Sequence, residues 1–150
     1  MKAVLQRVRS ASVVADGIPS GSCGTGLLIL LGVGQGDTET DARLLAEKIA
    51  KLRIFSDENG KMNRSVTDVG GGAVVVSNFT LLADYSHGNR PNYLGAAPPK
   101  EAAFLYDRFV ALLRLHVSHV GCGVFGADMR ISMVADGPVT VVMDSTVLRK

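Results

Sequence analysis

The chain contains no tryptophan, and phenylalanine and tyrosine bring its aromatic content to only 5%. That scarcity argues against a surface paved with stacking platforms, the usual way of gripping long single-stranded nucleic acid. Cysteine is nearly absent as well. Cys23 and Cys122 lie far apart in a chain that shows no secretion signal, so both are expected to be reduced thiols serving as small core hydrophobes. No apolar run approaches the roughly 18 residues that a membrane span requires. The opening Met1-Lys2-Ala3-Val4-Leu5-Gln6-Arg7 turns polar too early for the hydrophobic segment of a secretion signal. A cytoplasmic protein without a membrane segment is the expectation. Charge of either sign is also in short supply. Sixteen Lys and Arg against fourteen Asp and Glu leave a net +2, too little to track a nucleic-acid backbone, where each neutralised phosphate needs its own cation. A local grip on one RNA end stays open.

What the chain has in quantity is apolar residues and glycine. At 47% hydrophobic over 150 residues, it can bury one core, and residues 1–150 are expected to form a single domain. Its 17 glycines fall at the joints between apolar runs. Met1 to Ser10 alternates as a strand does, Ser12 to Ala15 continues it, and Asp16-Gly17 is a hairpin turn. Gly26 to Val33 is a short continuous apolar run, suited to a strand buried on both faces. Thr38 with Asp41 three residues on resembles a capping box, and Ala42, Leu45, Ile49 and Leu52 then recur at helical spacing. Arg53-Ile54-Phe55 reads as a short strand before a Glu58-Asn59-Gly60 turn, and Ala73 to Leu82 as a buried strand. Ala83 to Pro98 reads as a long loop. A second helix starts near Pro99, with Ala102, Leu105, Phe109, Leu112 and His116 as its buried stripe. Strands return at Met129 to Met133 and Val139 to Val142, interrupted at Ala135-Asp136-Gly137-Pro138. The class is α+β: a β-rich domain with hairpin-length connections and two main helices.

Several patterns that could carry chemistry do not hold up. Gly32-Val33-Gly34-Gln35-Gly36 follows a strand and opens a helix, but its third glycine comes one position early for a dinucleotide fingerprint. His116, His119 and Cys122 have ligand-like types without a fourth ligand at sensible spacing, so no metal is expected. Ser77, His87 and Asp84 could meet in space as a triad, yet no G-x-S-x-G elbow exposes the serine. Asp57, Glu58 and Asp136 form no evident carboxylate pair.

Two segments remain. Ser77-Asn78-Phe79-Thr80-Leu81 sets polar groups in strand-like sequence, where each must be hydrogen-bonded or face a cavity. Gly137-Pro138 interrupts another strand, where proline removes a ladder donor. It reads equally as a plain turn or as backbone presented to a ligand. Together the two segments resemble the signature of the D-aminoacyl-tRNA deacylases, Ser-Gln-Phe-Thr-Leu and Asn-x-Gly-Pro-Val-Thr. The likeness extends through Gln6-Arg7-Val8, Gly26-Leu27-Leu28, Arg53-Ile54-Phe55-Ser56-Asp57, Gly60-Lys61-Met62-Asn63, Gly88-Asn89-Arg90-Pro91 and Phe125-Gly126-Ala127-Asp128-Met129. It departs at Asn78, where the family has Gln, and at Ala135, where it has Asn.

The resemblance implies a mostly antiparallel, barrel-like domain that works as a homodimer and needs no cofactor. The activity it implies is hydrolysis of the ester in D-aminoacyl-tRNA, and of glycyl-tRNA, while the L-ester is spared. Each subunit would insert a cis Gly137-Pro138 pair into its partner's pocket, where backbone carbonyls test only the handedness of the α-carbon. The implied catalytic residues are Ser77, Phe79 and Thr80, with Asn78, Met129, Ala135, Asp136, Gly137 and Pro138 contacting the aminoacyl-tRNA 3′ end. Phe79 would seat the terminal adenosine. Two accounts of the attack stand: Thr80 as nucleophile, or assistance by the ribose 2′-hydroxyl of the tRNA. The absence of a recognisable base for Thr80 favours the second. A deacylase retuned to another acyl-tRNA, or a non-catalytic RNA-end binding module, are the alternatives.

Overall fold

The computed structural model describes all residues from 1 to 150. Strand β1 (Lys2–Ala15) turns through Asp16 and Gly17, with φ of 46° and 81°, into β2 (Ile18–Cys23). Positive φ at both central positions is what a tight hairpin with right-handed strand twist requires. Next come β3 (Gly26–Gly32), α1 (Glu39–Lys51), β4 (Phe55–Ser56), β5 (Met62–Arg64) and β6 (Gly72–Ser77). After a 3-10 turn at Phe79–Leu82 and a long loop come α2 (Pro99–Arg114), β7 (Val120–Cys122), β8 (Met129–Asp144) and a last 3-10 turn at Ser145–Leu148.

The main sheet runs β2-β1-β3-β6-β7, with β8 antiparallel along β1 from Lys2↔Asp144 to Ala15↔Met129. Strands β2 and β3 share the other edge of β1, both antiparallel, while β3, β6 and β7 run parallel. The sheet curls until β7 comes back beside β2. The two backbones meet at Gly21 and Gly121, and a Cβ on Gly21 would stand 2.7 Å from the Cys122 nitrogen. Glycine permits that closure, and the result is a nearly closed barrel with two helices on one side. The small β4-β5 ribbon stands apart.

Both faces of β3 and β6 are buried, which explains their uninterrupted apolar sequences. Leu27, Ile29 and Leu31 of β3 join Ala3, Leu5, Ala73 and Val75 under the helices, where Leu45, Ile49, Phe109 and Leu113 complete a core of 25 buried residues. Leu28, Val74 and Val76 point into the barrel with Val8, Ala11, Val13 and Cys23.

Several expectations need correction. The strand foreseen over Ala73 to Leu82 stops at Ser77, and Phe79 to Leu82 coil into a turn. The strand expected at Arg53 to Phe55 is the shorter Phe55–Ser56. The fully buried stripe of α2 is Ala102, Leu105, Tyr106, Phe109, Val110 and Leu113; Leu112 is half-buried and packs against the core, while His116 lies beyond the helix end. Cys122 is half-buried rather than a core residue, and both thiols are free.

The helix α1 begins with the Thr38/Asp41 capping box. Asp41 is 1% exposed, and its carboxylate accepts from Arg149 Nε (2.7 Å), Ser145 Oγ (2.8 Å) and Thr38 N (2.9 Å). Burial alone would raise its pKa. The hydrogen bonds from Arg149, Thr38 and Ser145 outweigh burial and hold it well below the carboxylate range. A depressed folded-state pKa stabilises the fold above the unfolded value, about 3.9, and that contribution fades as pH falls toward the folded value. Asp41→Asn should therefore cost roughly 1–3 kcal/mol at pH 7. Thermal melts of both proteins between pH 7 and pH 2 should show the gap narrowing below about pH 4. A gap independent of pH would mean that the ionised carboxylate contributes nothing.

Candidate active site

The parallel strands β3 and β6 end side by side at Leu31↔Ser77. The last rung of this pairing is the Asn78 amide on Leu31 oxygen, at 2.8 Å. Beyond it β6 has no continuing partner, and the backbone coils through Phe79 to Leu82. This fold break opens a cavity of about 220 Å³. Ser77, Asn78 and Phe79 form one wall, with Leu31 and Val33 beside them. Ala102 and Tyr106 of α2 and Phe125 to Ala127 with Met129 close the rest. The lining is mainly apolar with a few polar groups, as in sites that take small molecules.

Tyr106 fixes the floor by donating its hydroxyl to Val75 oxygen at 2.7 Å. Burial pushes its phenol well above the ordinary tyrosine range, so it stays protonated near neutral pH and supplies no base. Its ring tilts against Phe125, with centroids 6.2 Å apart. Phe79 is 57% exposed at the cavity mouth. Thr80 lies on the outer, exposed side of the turn, and its hydroxyl donates to Asn78 Oδ1 at 2.5 Å. Asn78 thus spends its amide oxygen on Thr80. The longer glutamine in the resembling family would have different reach.

The sequence candidates for a triad do not assemble. On the exposed loop, His87 Nδ1 sits 2.8 Å from Ser86 Oγ, and the Asp84 carboxylate accepts from the Ser86 amide at 2.9 Å. Neither hydrogen-bonds Ser77. The His116-His119-Cys122 set is likewise dispersed. His119 Nε2 lies 2.6 Å from Ser22 oxygen, and Cys122 Sγ lies 3.8 Å from an Arg114 guanidinium nitrogen. No group of three or more His, Cys, Asp and Glu side chains converges anywhere.

The second segment forms a protrusion. Between Gln6↔Thr140 and Val8↔Ala135, Arg7 alone stands opposite the four residues Asp136 to Val139. This stretch of β8 is extruded from the ladder, and the Gly137–Pro138 peptide bond at its tip is cis. Arg7 anchors the base: Nε donates to Asp136 oxygen (2.9 Å), and the guanidinium donates to Ile54 oxygen (2.8 Å). The Asp136 carboxylate lies 3.4 Å from Arg7 Nε and 3.7 Å from Arg9 Nε. Gly137 admits no side chain, because a Cβ there would collide with the Val139 backbone nitrogen.

Of the sequence candidates, the structure brings Ser77, Asn78, Phe79 and Met129 together around the cavity. Thr80 flanks them. Ala135, Asp136, Gly137 and Pro138 take no part in lining the cavity of their own chain. The sequence reading missed Leu31, Val33, Ala102 and Tyr106 as cavity walls and Arg7 as the anchor of the protrusion. Arg7 lies within a resembling segment and Leu31 and Val33 follow one, a signal without spatial meaning until the strands are paired, while Ala102 and Tyr106 lie outside every such segment.

Comparison with known proteins agrees with this architecture. The family model described as D-Tyr-tRNA(Tyr) deacylase matches residues 4–144. A D-aminoacyl-tRNA deacylase of Roseiflexus castenholzii is 56% identical over 151 residues, covering 100% of this chain and 96% of that protein. The Deinococcus radiodurans enzyme of the same name is 56% identical over 144 residues, covering 96% and 99%. Among solved structures, the c-Myc DNA unwinding element binding protein superposes with a TM-score of 0.90 at 37% identity, covering 96% of this chain and 98% of its own. A probable eukaryotic D-amino acid tRNA deacylase shares the fold, with a TM-score of 0.82 at 15% identity over 95% and 97% of the chains. With a full-length family match and relatives above half identity, the chain belongs to the D-Tyr-tRNA(Tyr) deacylase family.

Proposed function

We propose that the protein hydrolyses the ester of D-aminoacyl-tRNA, and of glycyl-tRNA, and spares the L-ester, as a chirality check on translation in the cytoplasm. The observation that carries this reading is the separation of two half-sites. Ser77, Asn78 and Phe79 line a cavity, while the exposed Gly137-Pro138 tip takes no part in lining it. A second copy reconciles them. The strand β8 pairs only with β1, leaving a long free edge, and Ile131, Met133, Val134 and Val142 along it are 41–77% exposed. Such an edge invites pairing or cover. In a homodimer built there, each tip would enter its partner's cavity and place backbone carbonyls around the α-carbon, leaving room for hydrogen but none for an L side chain.

The chemistry asks little of side chains. An ester on a ribose hydroxyl is an activated acyl group, so orientation and stabilisation of the developing oxyanion supply most of the acceleration. The Phe79 amide opens a helical turn, where N–H groups lack acceptors within the turn, and is the donor proposed for the oxyanion. Ser77, Asn78 and Met129 would line the aminoacyl-adenosine site. Ala135 and Asp136 would support the tip without touching the reacting atoms.

The test is direct. Incubated at catalytic amounts with D-tyrosyl-, L-tyrosyl- and glycyl-tRNA, the protein should release amino acid from the first and third with many turnovers. L-tyrosyl-tRNA should lose its ester near the spontaneous rate, and EDTA should change nothing. Binding without turnover would identify an RNA-end binding module. Turnover on some other acyl-tRNA alone would identify a retuned relative. Light scattering on the same sample should give twice the chain mass.

A further inference from the structure

We propose that Tyr93 is a positioning residue that holds the Phe79 ring as a stacking face for the unpaired terminal base of an RNA end; this rests on the reading that the cavity beside Phe79 takes the 3′ end. The two rings meet edge-to-face, with centroids 5.1 Å apart and planes at 78°. Aromatic residues make up only 5% of the chain, yet Phe79, which lines the cavity and is 57% exposed, has Tyr93, 38% exposed, against it. A lone phenyl ring on a turn samples several rotamers. An edge-to-face partner fixes its plane and leaves open surface for a third π-system. Bases at RNA ends are recognised in this way, splayed from the helix and stacked on aromatic side chains.

The backbone around Tyr93 is held without help from its ring. Asp84 and Asn92 exchange two backbone hydrogen bonds of 2.9 Å, and the Leu94 amide donates to Asn92 Oδ1 at 3.2 Å. On the other side, the Gln35 amide donates to Gly95 oxygen (2.9 Å), and Gln35 Nε2 donates to Leu94 oxygen (2.6 Å). Tyr93 is therefore delivered to Phe79 by a loop tied to the segment after β3. Removing the ring should free Phe79 while leaving the loop in place. The Tyr93 hydroxyl makes no hydrogen bond to protein, so the ring alone is needed.

Equilibrium titration with labelled uncharged tRNA tests this independently of catalysis. Two ligands are compared, one with the complete CCA end and one lacking the terminal adenosine. The unaltered protein should prefer the complete end. Tyr93→Ala should lose about 3- to 10-fold in affinity for the complete end only, in line with the loss of one aromatic pair. Tyr93→Phe should keep full affinity, while Tyr93→Leu, which restores apolar bulk without a ring, should behave like Tyr93→Ala. In steady-state assays on D-tyrosyl-tRNA the same variants should raise KM and leave kcat within about 2-fold, the signature of lost uniform binding. Rescue by Leu, equal losses on both ligands, or no preference for the terminal base would overturn the proposal. A penalty present with D-tyrosyl- but absent with glycyl-tRNA would overturn it too, since the aromatic corner would then be reading the amino acid. Failure of the unaltered protein to hydrolyse D-tyrosyl-tRNA would count against the deacylase reading, and the titration would still decide the role of Tyr93.

Discussion

Gly137→Ala is expected to lower D-tyrosyl-tRNA hydrolysis by on the order of 100-fold while the protein still melts within a few degrees of its unaltered form. The added Cβ collides with the Val139 backbone nitrogen, so the tip must move to admit it. A displacement of about 1 Å in groups that orient a reacting centre is enough for a loss of that size. The fold should tolerate the change because Asp136 to Val139 already lie outside the β1–β8 ladder, and both Gly137 and Pro138 are exposed. Arg7 holds the base of the protrusion through Asp136 and Ile54, with no hydrogen bond from its side chain to Gly137. Gly24 supplies the control, since a Cβ there meets nothing within 4 Å; Gly24→Ala should leave both melting and activity near their starting values. The assay should also follow L-tyrosyl-tRNA, because a displaced tip can fail by admitting the wrong hand as well as by losing the right one. Full D-activity with intact L-rejection in a folded Gly137→Ala protein would remove the protrusion from the active site.

Local features were legible wherever a short stretch of chain determines its own conformation. The Asp16-Gly17 hairpin, the Thr38/Asp41 capping box and Pro99 at the first turn of α2 depend on neighbours within a few residues. The continuous apolar run of β3 announced burial on both faces. Legibility failed where a distant element decides. Phe79-Thr80-Leu81-Leu82 has strand-like composition, but β3 ends at Gly32 and leaves β6 no partner past Asn78. The stripe of α2 was projected to His116, yet the helix closes at Arg114, where the Leu115 and His116 amides turn back to Leu112 and Leu113. Which of its faces is buried depends on where α1 and the sheet lie, and they select Tyr106 and Val110. The cavity is the extreme case. Its walls come from β3, the end of β6, α2 and the approach to β8, and no window of sequence contains more than one of them. Arg7 belongs to a sequence motif, but its role depends on Ile54 and Asp136 lying beside it.

The mechanism is best tested by removing a hydroxyl from one partner at a time. Thr80→Ala should retain hydrolysis of D-tyrosyl-tRNA within about 10-fold, whereas a substrate ending in 2′-deoxyadenosine should lose about 100-fold or more with the unaltered protein. Those bounds follow from what positioned proton transfer is worth, about 10²–10⁴. A threonine nucleophile must give up its proton to a base, and the structure offers Thr80 only the amide oxygen of Asn78, which is too weakly basic to take it. Asp84, His87 and Tyr106 are committed elsewhere. Asp84 is held below the usual carboxylate range by its bonds to Ser86 and Asn92, His87 contacts Ser86, and the Tyr106 phenol is raised by burial and donates to Val75. The vicinal hydroxyl of the terminal ribose, in contrast, arrives with the substrate, adjacent to the ester and needing no side chain to place it. Single-turnover assays of both substrates against both proteins complete the cycle. If Thr80→Ala is inactive while the deoxy substrate is cleaved at the normal rate, Thr80 is the nucleophile and the Asn78 contact is part of its activation. If both changes are severe and the doubly altered reaction is no slower than either alone, the two hydroxyls act as one unit, with Thr80 holding the ribose hydroxyl in place.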